Sequence, residues 1–111
     1  MNNEDILVEL NVLIHKLNDL MDIMLESTKE IIDLGNVNYE LKKVIDKLDI
    51  IIDNIKDSNE KNMLESAKYD VIYANLDIID NVDIFDKINK LRGAKSSLKK
   101  VKSKLSINGP L

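Results

Sequence analysis

The feature that most constrains this 111-residue chain is a heptad pattern of apolar side chains in its first third. The steps alternate between four and three residues, a spacing that places these side chains on one face of a helix packed against other helices. Gly35 follows the series, where a C-terminal helix cap is expected. The pattern therefore predicts a first helix over residues 4–34. Its members are Ile6, Leu10, Leu13, Leu17, Leu20, Met24, Ile31 and Leu34, with Ser27 at the one missing position.

Two further heptad series follow along the chain. The second is Val37, Leu41, Val44, Leu48, Ile51 and Ile55, and the third is Leu64, Ala67, Val71, Ala74, Ile78, Phe85 and Ile88, with Asn81 within it. Residues 57–62 contain no apolar side chain, so we expect the chain to turn there. The spacing changes register at Leu91, beside Gly93, and then continues through Ala94, Leu98, Val101 and Leu105. We expect a kink or a helix break at residues 92–94, and a frayed end over residues 106–111.

These patterns indicate an all-α fold. Short connections favour antiparallel neighbours, so we predict a bundle of about three long helices with coiled-coil-like heptad seams and a basic C-terminal helical extension. Residues 1–92 are the predicted bundle domain and residues 93–111 the predicted extension. Because most of the heptad pattern precedes Gly93, the extension is expected to be dispensable for folding.

The sequence also predicts an intracellular, cytoplasmic protein. The longest purely apolar runs are triplets such as residues 50–52, whereas a membrane-spanning helix needs roughly 18 residues. The chain begins with acidic residues, Glu4 and Asp5, where a secretory signal carries positive charge.

Charge is distributed unevenly along the chain. All 20 acidic residues lie between Glu4 and Asp86, together with only 8 of the 16 lysines and arginines, which gives that span a net charge of −12. Residues 87–111 contain no acid and carry a net charge of +8. Such an asymmetry suggests contact with a charged partner. The residues predicted to make that contact are Lys87, Lys90, Arg92, Lys95, Lys99, Lys100, Lys102 and Lys104.

Four interpretations of this basic segment stay open. Its lysines can be a solvated helix end that favours the negative pole of the helix dipole. They can dock on the acidic part of the same chain or of a second subunit. Nucleic acid is a third partner, because phosphate binding requires only clustered cations. An anionic membrane is the fourth, and the absence of Trp and of Phe anchors on the apolar side argues against it.

Residues suited to catalysis or metal binding are scarce. Cysteine is absent and there is one histidine, His15, which with Asp19 and Asp22 lacks the further ligands that a metal site needs. The stripe formed by Asp46, Asp49, Asp53 and Asp57 extends over about 16 Å of helix, too far for one cation, and is best explained as a solvated face. No Gly-rich phosphate loop or nucleophile elbow is present. We therefore expect no enzyme activity, no metal and no cofactor.

The sequence favours a non-enzymatic interaction or assembly protein. We expect it to self-associate, as a homodimer, or to bind another protein, with the basic segment as a second contact surface. The alternatives are a nucleic-acid-binding accessory protein and a small immunity or inhibitor protein. The residues predicted to form the oligomer face or the core are Leu10, Leu13, Leu17, Leu20, Met24 and Ile31.

Overall fold

A computed structural model describes residues 1–108 of the protein, with side chains through Ser106, as four helices. They are α1 (Asn3–Glu26), α2 (Gly35–Asn54), α3 (Ser58–Asn75) and α4 (Ile84–Asn108). Within this described part there is no strand, which confirms the all-helical fold class. The expected number of three helices is wrong, because the third heptad series is divided between α3 and α4.

The four helices form a bundle of 47 × 20 × 19 Å in which α1 and α3 each pack against both α2 and α4. Short connections make consecutive helices antiparallel. Two hydrogen bonds show that α1 and α4 are antiparallel as well. Lys102 Nζ donates to Asn11 Oδ1 at 2.9 Å. Seven residues earlier on α4, Lys95 Nζ donates to Asn18 Oδ1 at 2.7 Å.

Side-chain caps determine where two of the helices begin. The Asn2 side chain accepts a hydrogen bond from the Asp5 backbone N–H at 2.8 Å, and Asp5 reciprocates, which completes a capping box at the start of α1. Asp57 accepts from the Glu60 N–H at 3.0 Å and caps α3. The polar segment 57–62 is therefore mostly the first turn of α3, and the connection from α2 is only residues 55–57.

The first helix ends at Glu26, so the helix predicted to residue 34 is eight residues too long. The hydroxyl of Ser27 donates to the Met24 carbonyl, and that of Thr28 donates to the Leu25 carbonyl. Such bonds compete with the helical backbone pattern and favour a helix end. Leu10, Leu13, Leu17, Leu20 and Met24 are buried in the core as part of one helix face.

Ile31 does not lie on the buried face of α1. It lies in the loop 27–34 and is fully exposed, whereas Leu34 at the end of the same loop is buried. The assignment of Ile31 to the core face is therefore wrong. Gly35 is the first residue of α2, not the cap of α1, and its N–H donates to Asp33 Oδ1 at 2.8 Å.

A turn over residues 76–83 separates α3 from α4. Three of its residues, Asp77, Asn81 and Asp83, have positive φ angles of 54°, 57° and 51°. Asn and Asp tolerate this left-handed conformation better than most residues, which explains their use here. Asn81 thus lies in a turn and not on a helix face, and Phe85 is exposed at the start of α4.

The helix α4 is continuous through Gly93, so the helix break expected at residues 92–94 is absent. A Cβ atom at Gly93 would meet Asp70 Oδ2 at 3.5 Å, an ordinary contact, so neither space nor backbone conformation requires glycine there. The buried residues of α4 follow one unbroken heptad pattern. They are Ile84, Lys87, Leu91, Ala94, Leu98, Val101 and Leu105, and Ile88 is buried beside them.

Residues 84–108 thus form a structural helix of the bundle. Ala94, Leu98 and Val101 are completely buried and Leu105 nearly so. Ala67 and Ala74 on α3 are buried as well, and such small side chains let α3 and α4 pack closely. The expected boundary between residues 92 and 93 lies inside this helix. None of the described helices is long and apolar enough to span a membrane.

Candidate binding surface on α4

All eight cations of the basic segment lie on α4, whose buried apolar side chains belong to the core of the bundle. The outward part of α4 therefore carries seven of the 16 lysines and arginines of the chain. The exposed members are Lys90, Arg92, Lys99, Lys100 and Lys104, and the partly buried ones are Lys95 and Lys102. We call these seven side chains the basic face.

Lys95 and Lys102 lie along the junction of α4 with α1. Each donates a hydrogen bond to an uncharged amide oxygen, from Asn18 and Asn11 respectively. These asparagines satisfy one donor of each ammonium group without neutralising its charge. The pairing fixes the position of two cations and leaves the basic face positively charged.

None of the seven cations pairs with a carboxylate of the described chain. The ion pairs in that part of the protein join Lys16 and Lys43 to Glu40, Lys47 to Glu9, and Lys68 to Asp49, with N···O distances of 2.9–3.8 Å. All of them lie on α1, α2 and α3. Intramolecular docking of the basic segment on acidic residues, one of the four interpretations, is therefore not seen.

Lys104 of the basic face acts electrostatically on the carboxyl group of Glu60 on α3. Burial raises the pKa of the Glu60 carboxyl, and nearby Asp57 raises it further, while Lys104 acts in the opposite direction.

At the other end of α4, Lys90 Nζ lies 5.3 Å from the centre of the Tyr73 ring. The Tyr73 hydroxyl donates to Asp86 Oδ2 at 2.6 Å, which raises the pKa of Tyr73.

Lys87 occupies a different environment from the other seven cations. It is 4% exposed, and its Nζ is buried with no hydrogen-bond partner in the described part of the chain. Its position in the heptad pattern of α4 explains this burial. Lys87 is therefore an internal residue, although the sequence places it among the contact residues.

The other candidate residues are not brought together into a site. Asp46, Asp49 and Asp53 are exposed on α2, and Asp49 pairs with Lys68, but Asp57 lies beyond the helix and caps α3. His15 is exposed on α1. Across residues 1–108, no three His, Cys, Asp or Glu side chains are arranged to hold a metal ion.

An apolar patch that the heptad pattern did not predict lies at the bundle end formed by loop 27–34 and turn 76–83. Exposed apolar residues recur there at steps of three, at Leu76, Ile79, Val82 and Phe85, and Ile31 is exposed on the neighbouring loop. Apolar residues at steps of exactly three, separated by Asp and Asn, depart from the heptad spacing, and this departure is the sequence feature that could have revealed the patch.

Comparison of the chain with protein-family models, curated proteins and solved structures finds no match to any of them.

Proposed function

We propose that this protein is a non-enzymatic binding protein that holds an acidic segment of a partner protein on the basic face of α4. One observation carries the proposal: seven cations of one helix are exposed or partly exposed, and none of them pairs with a carboxylate of the described chain. Like charges on one helix repel each other, and an acidic ligand removes that repulsion. Complementary charge of this kind also speeds association and selects the partner.

The charges beside α4 favour a narrow partner over a nucleic-acid duplex. The neighbouring helix α1 carries six acids and one lysine, a net charge of −5. A duplex laid along α4 also approaches the flanking helices, where these carboxylates repel its phosphates. An acidic helix or extended segment of a protein can follow α4 alone. Nucleic acid is the second candidate, because residues 87–108 carry eight cations and no acid.

Self-association through the apolar face of α1 receives no support from this arrangement. Leu10, Leu17 and Met24 are completely buried by the other helices of the same chain. A homodimer would therefore need a different surface from the one that the sequence predicts. The partner in the present proposal is accordingly a different protein.

The test removes charge from the basic face without touching the core. Lys99, Lys100 and Lys104 are exposed and are changed together to Gln, and the matched control changes Lys29, Lys42 and Lys56, which are exposed elsewhere. The probe is a fluorescent Glu-rich peptide, measured by anisotropy over a series of salt concentrations. We expect the first triple variant to weaken binding about tenfold or more at low salt, because three charge pairs are lost. The control and both melting temperatures should change little.

Two results would overturn the proposal. Equal weakening by both triple variants would show that net charge, and not the face of α4, attracts the peptide. Tighter binding of a labelled DNA duplex, with the affinity falling steeply as salt rises and lost in the Lys99, Lys100 and Lys104 variant, would establish the nucleic-acid candidate instead.

A further inference from the structure

The apolar patch at the loop end of the bundle is a second surface, separate from the basic face. It consists of Ile31, Leu76, Ile79, Val82 and Phe85, which we call the loop-end patch. Ile31 is fully exposed, and the other four side chains are 48–62% exposed. Single exposed apolar side chains are ordinary, but a group of five on two adjacent loops and the first turn of α4 is a feature of interaction surfaces.

The two loops lie side by side. Ile31 and Ile32 of the first loop line the same cleft as Ile79 and Asn81 of the turn. The patch is therefore formed by residues more than 40 positions apart in the sequence, and the fold of the bundle brings them together.

The turn is held in a defined conformation. The Asp80 N–H donates to the Asp77 carbonyl at 3.2 Å, and the Asn81 N–H donates to the Ile78 carbonyl at 3.0 Å. Ile78 is completely buried and anchors the turn to the core. The turn also contains three residues with left-handed backbone conformation, Asp77, Asn81 and Asp83. The exposure of the apolar side chains of the turn thus follows from a backbone that hydrogen bonds and a buried side chain hold in place.

The charge around the patch limits what it can bind. Residues 25–33 and 76–86 carry seven carboxylates and one lysine ammonium, a net charge of −6. Lys87, which follows, is buried and has no hydrogen-bond partner among the described residues. A nucleic acid or an anionic bilayer is repelled by this surface. A ligand that matches it combines positive charge with large apolar side chains.

We propose that the loop-end patch docks a basic amphipathic segment of another protein. Apolar side chains of that segment cover Ile31 and Ile79, and its lysines or arginines meet the surrounding carboxylates. A second copy of this chain does not supply such a segment through α4. From Asp86 to Ser106 that helix exposes cations but no large apolar side chain.

The test uses a short amphipathic peptide of leucine and lysine, titrated into the full chain at physiological salt and followed by backbone amide NMR. We expect the largest shifts at residues 27–33 and 76–86. Changing Ile31 and Ile79 together to Ser should weaken binding by roughly tenfold or more, because apolar contacts at the centre of an interface carry most of the affinity. The matched control changes Val8 and Val12 to Ser. These are also exposed apolar residues, but on α1, and their loss should alter affinity by about twofold at most.

Variants and comparison peptides separate this proposal from simple charge attraction. A peptide with serine in place of leucine should bind much more weakly, and so should one with glutamate in place of lysine. Shifts that centre on the acidic residues of α1, or equal effects of the two double variants, would overturn the proposal. It would also be overturned if the patch resonances moved with protein concentration alone, which would show that a second copy covers the patch.

Discussion

A chain that ends at Arg92 is expected to lose its cooperative thermal transition. The truncation removes Leu98, Val101 and Leu105, whose burial contributes about 1.5–3 kcal/mol each, and it also removes Ala94. It uncovers the faces of α1 and α3 that pack against α4. The whole stability of a domain of this size is about 5–15 kcal/mol, so the loss is comparable to the total. This expectation reverses the one drawn from the sequence.

Circular dichroism during thermal unfolding measures this effect directly. The matched control ends at Asn108 and therefore keeps every residue that the structure describes. It should melt as the full chain does. If the shorter chain that ends at Arg92 melted cooperatively within about 10 °C of the full chain, the packing of α4 described above would be wrong.

Replacing Lys87 by Met is expected to stabilise the protein. The Lys87 ammonium is buried with no hydrogen-bond partner in the described part of the chain, and an unsatisfied buried polar group costs about 1–3 kcal/mol. Methionine is unbranched and apolar, and it can fill the space of the lysine stem without this cost. The free energy of unfolding at neutral pH should rise by a similar amount, as measured by urea denaturation.

The control for this substitution is Lys99 to Met, an exposed position on the same helix. Because a solvated lysine has no desolvation cost to recover, the change in unfolding free energy there should stay within about 0.5 kcal/mol. A clear loss of stability in the Lys87 variant would show that its ammonium group has a favourable partner in solution.

The buried face of each helix could be predicted from the sequence to a large extent. Every member of the second heptad series, from Val37 to Ile55, is buried. All of them lie on α2 except Ile55, which directly follows that helix. This works because a stripe of apolar side chains at this spacing has no other way to leave water than helix packing. Lys87 was not predicted in this way: it is buried four residues before Leu91, whereas its charge had assigned it to the contact surface.

The helix ends were harder to predict, because local hydrogen bonds determine them. Ser27 and Thr28 use their hydroxyls on carbonyls of α1, and the heptad pattern alone does not contain this competition. The turn at 76–83 continues the apolar composition of α3, so Phe85 resembles a core position in sequence although it is exposed.

The sequence identified most residues of the candidate site, but it did not show that the helix carrying them is part of the bundle. Charge alone identified the basic residues of α4, and seven of the eight are on the surface. An amphipathic helix has an apolar face both when it packs within its own bundle and when it binds another protein. The sequence therefore did not reveal that Leu98 and Val101 are part of the core. The distinction depends on the tertiary contacts with α1 and α3.

The central claim is that α4 is an integral helix of the bundle whose outward side carries the basic face. Amide hydrogen exchange of the full chain, read residue by residue by NMR, tests it most directly, because exchange of core amides requires global opening. We predict that the amides of residues 94–105 are protected as strongly as those of residues 10–24 in α1. Rapid exchange over residues 94–105, with α1, α2 and α3 still protected, would contradict the claim.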